Sequence, residues 1–324
     1  MPSPPKHPGL IGSSPEMDTV RRFVERAAYV DALVLLLGET GTGKSLIARI
    51  IHDRGARASG PFVALNCAAV PEALFESELF GHRRGTFTGA HEDRVGLIES
   101  AHRGTVLLDE VGDLPPAQQA KLLTVLEEGE VRPVGARRPS KVDVRVVSAT
   151  SRELEGLMGV GAFRRDLFHR LALLRVRLPP LRERPGDVEA LAEHFLRASA
   201  SRHRIPRPRL DPPTLRLLAA HPWPGNVREL GHAVEAAHIV DAETGFGAAL
   251  ASMLAGHALP PSESAPTAAA PAPADRYSCY GTVEEERDRI RAVLARCRGN
   301  RTHAARELGM SRNTLRDRMH RYGL

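Results

Sequence analysis

The chain has 324 residues, 42% hydrophobic and 26% charged, with 45 Lys and Arg against 39 Asp and Glu for a formal net charge of +6. At about 150 residues per domain this allows two domains and a small third, with the composition of a soluble globular protein. No apolar run nears the roughly 18 residues of a membrane span, the N-terminus MPSPPKHPGL has no apolar signal core, and the three scattered cysteines form neither a disulfide framework nor a zinc spacing, which points to a reducing cytoplasm and no membrane partner.

Residues 1–9 are Pro-rich and expected to be disordered. Strands are predicted at 33–37, 62–65, 105–108 and 142–148, with helices at 19–28 and 117–127 between them. Strands alternating with helices predict an α/β class with a parallel sheet covered on both faces. Beyond residue 181 the pattern turns helical, with helices expected at 187–200, 211–220 and 226–240. Residues 259–274 hold five Pro and six Ala, a composition that reads as linker. Residues 241–258 are weakly patterned, so all of 241–282 is expected to be linker. A last helical unit is expected over 283–324. Between 281 and 324 there are 11 Arg against 6 Asp and Glu, so this short segment carries most of the net charge and suits an anionic partner.

The sharpest motif is Gly38-Glu39-Thr40-Gly41-Thr42-Gly43-Lys44-Ser45, a match to G-x-x-x-x-G-K-[ST] set between a predicted strand and a helical stretch. Its glycines let backbone N–H groups turn inward around phosphates at the positive end of a helix. Lys44 is expected on the phosphates and Ser45 on Mg²⁺. The run Gly104-Thr105-Val106-Leu107-Leu108 ends in Asp109 and Glu110. Asp109 is the candidate Mg²⁺ holder and Glu110 the candidate for orienting the attacking water. Together the two motifs predict an Mg²⁺-dependent ATPase.

The residues then resemble a known family, the bacterial enhancer-binding proteins, AAA+ activators of sigma-54 RNA polymerase. Glu78-Leu79-Phe80-Gly81-His82 and Gly85-Thr86-Phe87-Thr88-Gly89-Ala90 are similar to the family's loop that touches the sigma factor. The resemblance makes Thr86, Phe87 and Thr88 the sigma-contact candidates. An ordinary surface turn with Phe87 folded inward is the plain structural alternative. Residues 130–143 are similar to a second pore-side loop. Asn66 matches the residue that relays nucleotide state from the catalytic Glu, although a strand-end turn explains it equally. Phe163-Arg164-Arg165-Asp166-Leu167-Phe168-His169-Arg170-Leu171 resembles the segment whose arginines, here Arg164 and Arg170, complete a neighbour's site in a ring. The alternative is a basic helix face paired with Asp166. Trp223-Pro224-Gly225-Asn226-Val227-Arg228-Glu229-Leu230 resembles the lid motif, with Arg228 as its nucleotide-sensing arginine. A Pro-Gly turn with Asn226 as a helix N-cap accounts for the same letters. Three positions depart from the family's usual residues. Ser45 stands for an acidic residue, Thr86 for Ala and Ser151 for Asn.

The C-terminal segment 298–324 resembles a Fis-type helix-turn-helix. Ala304, Ala305 and Leu308 form the apolar face of its first helix, Gly309 the turn, and Leu315 and Met319 the inward face of the second. Ser311, Arg312, Asn313, Thr314, Arg316 and Arg318 are the DNA-binding candidates. A preceding helix carries Ile290, Val293, Leu294 and Cys297 on one stripe and is implied to help dimerisation.

The resemblance implies an α/β AAA+ subdomain at 10–180, a helical lid at 181–240 and a DNA-binding domain at 283–324. The ATPase pattern begins at about Leu10, which leaves no room for a regulator in cis, so control is expected in trans, by expression level, or not at all. The implied function is ATP-driven activation of sigma-54 RNA polymerase, from dimers on double-stranded upstream DNA to a hexameric ring. The alternative is a DNA-binding regulator whose AAA+ domain is a nucleotide-gated oligomerisation module.

Overall fold

The computed structural model describes residues 10–87, 90–240 and 245–256, with Arg291, Val293, Leu294, Arg296, Cys297, Ala304 and Met319 of the C-terminal segment. The chain divides into two compact units, Met1–Pro260 and Pro261–Leu324.

In the first unit, α1 (Pro15–Tyr29) starts at Ser14, whose Oγ accepts from the Met17 N–H, with Pro15 in the first turn where a missing N–H costs nothing. It is followed by β1 (Val34–Leu37), α2 (Lys44–Arg54), β2 (Phe62–Asn66) and α3 (Glu72–Phe80). Two short strands, β3 (Gly81–His82) and β4 (Arg94–Val95), pair antiparallel around the 83–93 loop before α4 (Leu97–Ser100) resumes. Then come β5 (Thr105–Asp109), α5 (Pro116–Glu128), a second ribbon of β6 (Glu130–Val131) and β7 (Ser140–Lys141), and β8 (Arg145–Thr150). The core subdomain closes with α6 (Leu154–Gly159), α7 (Arg165–Leu171) and β9 (Leu174–Arg177).

The five long strands lie in the order β2-β5-β8-β1-β9, all parallel. Central strands read as continuous apolar runs because both faces are covered, as Val34, Leu35 and Leu36 illustrate. One face packs Leu35, Leu65, Val106 and Leu108 against α3, α5 and α7, and the other packs Val34, Leu36, Leu107 and Val147 against α1 and α2. Three strands fall where the sequence places them within a residue, and the fourth, expected at 142–148, runs from Arg145 to Thr150. The fifth, β9, is an edge strand of alternating Leu-Arg-Val-Arg, and its half-exposed pattern hid it from a search for apolar runs.

Four helices follow: α8 (Val188–His203), α9 (Pro212–Ala220), α10 (Asn226–Val240) and α11 (Phe246–Gly256). They enclose a separate core around Trp223, Leu230, Val234 and Leu250. The helix α11 corrects the expectation that 241–282 is linker throughout. Phe246, Ala249, Leu250 and Leu254 are buried, and the segment is apolar nearly all round, so it offers no amphipathic stripe to read.

In the second unit Val293, Ala304 and Met319 are helical and buried.

Candidate active site

Parallel pairing puts every strand's carboxyl end on one edge of the sheet. Leu37 pairs with Thr150 and Asn66 with Asp109, so Gly38, Asn66, Asp109, Glu110 and Ser151 emerge along the same edge. Gly41 has φ +82, and a Cβ there would stand 2.2 Å from the Gly225 carbonyl, so a left-handed turn and close approach to the lid both require glycine.

Lys44 is 5% exposed, and its Nζ donates to the Gly38 carbonyl at 2.8 Å and the Glu39 carbonyl at 3.2 Å. Burial pulls its pKa below the ordinary lysine value, opposed by the carboxylates of Glu110 and Asp109. Its Nζ lies 3.7 Å from Glu110 Oε1. Ser45 Oγ donates to Asp109 Oδ2 at 2.8 Å. Two hard oxygen donors thus meet beside a buried cation whose partners are backbone carbonyls, a donor set that fits Mg²⁺ and phosphate. The cleft around them measures about 440 Å³ and is lined also by Thr40, Gly43, Val227 and Arg228. Thr42 is buried, and its Oγ1 donates to the Glu39 carbonyl at 2.8 Å, closing the loop on itself.

Glu110 sits in the left-handed region at φ +54, a conformation uncommon for a residue with a side chain. Its N–H donates to Asp109 Oδ1 at 3.1 Å. Its Oε2 accepts from both the N–H and the hydroxyl of Ser151, each at 2.8 Å. Asn66 stands at the end of the neighbouring strand, with its Oδ1 accepting from the Ala68 N–H at 3.0 Å. Among the described residues, the hydrogen bonds to the Glu110 carboxylate come from Ser151.

The side chain of Glu39 faces the lid. Arg182 grips it through two bonds of 2.8 and 2.6 Å, and Asn226 Nδ2 adds a third at 3.2 Å. The Arg182 hydrogen bonds, helped by Asn226, hold the carboxyl down to about 2 against the opposing effect of its partial burial. Asn226 is not a helix N-cap. It is fully buried at φ +56, its Oδ1 accepts from the Leu181 N–H at 2.7 Å, and Nδ2 also donates to the Thr40 carbonyl at 3.1 Å. Glu229 serves the helix start instead, accepting from the Gly225 N–H at 2.7 Å. The Arg228 N–H donates to the Gly41 carbonyl at 3.3 Å, so Arg228 is anchored on the phosphate loop. These lid contacts went unread because partners 143 and 187 residues apart leave no local signal.

The two other loops are tied to one another. The Arg83 N–H donates to the Val134 carbonyl, and the Val134 N–H to the Gly81 carbonyl. The Thr86 hydroxyl donates to the Arg83 carbonyl at 2.8 Å, and a Cβ at Gly135, φ +76, would stand 2.1 Å from the Thr86 methyl. Phe87 is 40% exposed, its ring lying edge-on 4.9 Å from that of His82. It is neither folded into the core nor fully free. Thr88 lies outside the described residues.

Arg164 stands just before α7 and pairs through two bonds with Asp166, while Arg170 donates to the Leu126 carbonyl at 2.8 Å. Neither lines the cleft of its own chain. Ser311, Arg312, Asn313, Thr314, Arg316 and Arg318 lie outside the described residues. No helix among the described residues is long and apolar enough to cross a membrane.

Comparison with known proteins agrees with this arrangement. A model of the Sigma-54 interaction domain matches residues 10–177, one of the AAA+ ATPase lid domain 182–263, and one of the bacterial regulatory protein Fis family 282–322. The chain is 45% identical over 313 residues to the hydrogenase transcriptional regulatory protein HoxA of Cupriavidus necator, covering 95% of this chain and 64% of that protein. It is 41% identical over 320 residues to the regulatory protein AtoC of Escherichia coli, covering 97% and 68%. The chain therefore spans about two thirds of the length of these curated relatives. The crystal structure of NtrX from Brucella abortus in complex with ADP superposes with a TM-score of 0.71 at 34% identity, over 97% of this chain and 70% of that one. Its complex with ATP gives 0.69 at 33% identity, over 99% and 71%.

Proposed function

We infer the function from one premise: the chain belongs to the family of sigma-54-dependent transcriptional regulators, AAA+ P-loop NTPases with a helical lid and a Fis-type helix-turn-helix. On that premise the protein hydrolyses ATP and spends the energy on opening promoter DNA held by sigma-54 RNA polymerase. The observation that carries the reading is the meeting of two distant motifs at one edge of the sheet. Ser45 touches Asp109 at 2.8 Å while Lys44 stands 3.7 Å from Glu110.

Lys44 exchanges the Gly38 and Glu39 carbonyls for phosphate oxygens, joined by loop N–H groups at the start of α2. Ser45 and Asp109 are the residues that would hold Mg²⁺, which when bound offsets charge on the phosphates. Glu110 orients a water toward the γ-phosphorus and accepts its proton. The water oxygen bonds to phosphorus, the bond to the bridging oxygen breaks, and its electron pair leaves with ADP. Arg228 approaches from the lid. Arg164 and Arg170 act in trans, stabilising charge in a neighbour's site within a hexameric ring, and Asn66 transmits the state of the cleft along the sheet edge.

The output is the 83–93 loop. Phe87 offers an apolar contact to sigma-54, flanked by Thr86 and Thr88, and the hydrogen bonds to Val134 move the two loops as one. Residues 283–324 bind upstream DNA as a dimer through Ser311, Arg312, Asn313, Thr314, Arg316 and Arg318. The protein acts in the bacterial cytoplasm.

The test is open-complex formation by the purified protein with sigma-54 polymerase on a sigma-54 promoter, with ATP or a non-hydrolysable analogue. Opening with ATP alone supports the activator. No opening by a preparation that hydrolyses ATP would favour a nucleotide-gated DNA-binding module.

A further inference from the structure

We propose that the loop between β6 and β7 grips the phosphate backbone of the promoter through Arg132, Arg137 and Arg138. The inference rests on the activator reading above. The ladder pairs Glu130 with Lys141 and Val131 with Ser140, so residues 132–139 form a hairpin loop. The inner side of this loop is already committed. Val131 and Pro133 are buried, and the Ala136 N–H donates to the Pro133 carbonyl at 2.9 Å. Val134 is bonded in both directions, accepting from the Arg83 N–H at 3.0 Å and donating to the Gly81 carbonyl at 2.9 Å. What the loop leaves exposed is Arg132, Gly135, Arg137, Arg138 and Pro139.

Two properties of that surface point to a polyanion. The first is uncompensated charge. Residues 131–139 contain no Asp or Glu, and Glu130 beside them already faces Lys141 across the ladder. Nearby cations are paired, Arg83 with Asp93, Arg94 with Glu78 and Lys121 with Glu76. Among the described residues, none of Arg132, Arg137 and Arg138 has an ion-pair partner. The second is the lack of an apolar anchor. Beside the arginines the loop exposes Gly and Pro, whereas a protein interface is carried by large side chains set in well-packed pockets. Guanidinium forks meet phosphate oxygens without any apolar contact, and a ring that repeats three cations per subunit concentrates the field at one opening. The two tied loops thus divide one target. Phe87 meets the sigma factor, and the arginines meet the DNA that the factor holds.

The full chain is compared as wild type, R132Q/R137Q/R138Q and R132K/R137K/R138K, in ATPase assays and in promoter opening with sigma-54 polymerase over a range of KCl. Each phosphate contact contributes about 0.7–0.9 to the log–log salt slope, so the Gln variant should have a slope shallower by about 2–3. It should open promoters about tenfold more slowly at about 0.15 M salt, with ATPase within about twofold of wild type. The Lys variant keeps the charge and should recover most of the rate. Photoreactive benzoylphenylalanine in place of Arg137 identifies the partner, and transfer to labelled promoter DNA is expected. Equal salt slopes for wild type and the Gln variant would overturn the inference, as would a Lys variant no better than Gln or crosslinks to polymerase protein alone. A wild-type chain that hydrolyses ATP yet opens no promoter defeats the activator reading and this inference with it. Normal opening by the Gln variant beside an inactive F87A defeats the role of the arginines alone.

Discussion

Replacing Asn226 by Ala tests how the lid is fastened to the phosphate loop. Three quantities follow from its geometry. The Leu181 N–H, now bonded at 2.7 Å in a fully buried setting, loses its acceptor, which costs about 1–3 kcal/mol. The donations to Glu39 and Thr40, at 3.2 and 3.1 Å, are weaker and partly replaced by water, and add about 0.5 kcal/mol. The backbone at φ +56 suits Asn but penalises Ala by about 1 kcal/mol. N226A should therefore destabilise the lid by about 2.5–4.5 kcal/mol, and N226G by about 1 kcal/mol less, because glycine removes the backbone penalty while losing the same bonds. Urea unfolding followed by the fluorescence of Trp223, the one tryptophan in the chain, reads the lid directly, since that ring is buried three residues away. Equal destabilisation by Ala and Gly would refute the backbone argument. A loss below about 0.5 kcal/mol for both would refute the claim that the buried Leu181 amide depends on this side chain.

Cys67 is 3% exposed, and burial, with Asp109 and Asp113 nearby, pushes its thiol up to about 12. In a chain carrying C279S and C297S it should therefore resist a thiol reagent at pH 8 and react at once in denaturant, and rapid native labelling would show the thiol to be accessible. K44A and R164A should each be inactive as ATPases, yet mixtures should recover activity, since an R164A phosphate loop beside a K44A neighbour's Arg164 rebuilds a whole site. Absence of recovery in mixed assemblies would argue against action in trans. Phe87→Ala and Thr88→Ala should abolish promoter opening while ATPase stays within about twofold of wild type, and retained opening by both would remove the loop from the mechanism.

Much of the core was legible because its signals are local. The strand before Gly38 and the strand before Asp109 are runs of four or five residues that declare themselves by apolar composition, and the phosphate loop is eight contiguous letters. The edge strand β9 and the apolar helix α11 escaped, one because half its residues face water, the other because it has no polar face to set a period. Asn226 shows how a local rule can be satisfied by the letters and bypassed by the fold. An Asn after Pro-Gly reads as an N-cap, but its side chain is claimed by the Leu181 amide and by Glu39, neither of which is near it in the chain.

The class of the fold and the identity of the chemical groups are therefore legible along the chain, since both are written in short periodic or contiguous patterns. Tertiary structure decided which of those groups touch. Parallel register alone brings Ser45 to Asp109 across 64 residues and Ser151 to Glu110 across 41, and lid docking alone turns Glu39 away from the cleft toward Arg182 and Asn226. A hydrogen bond forms between neighbours in space, and distance in space is set by strand order and packing rather than by position along the chain.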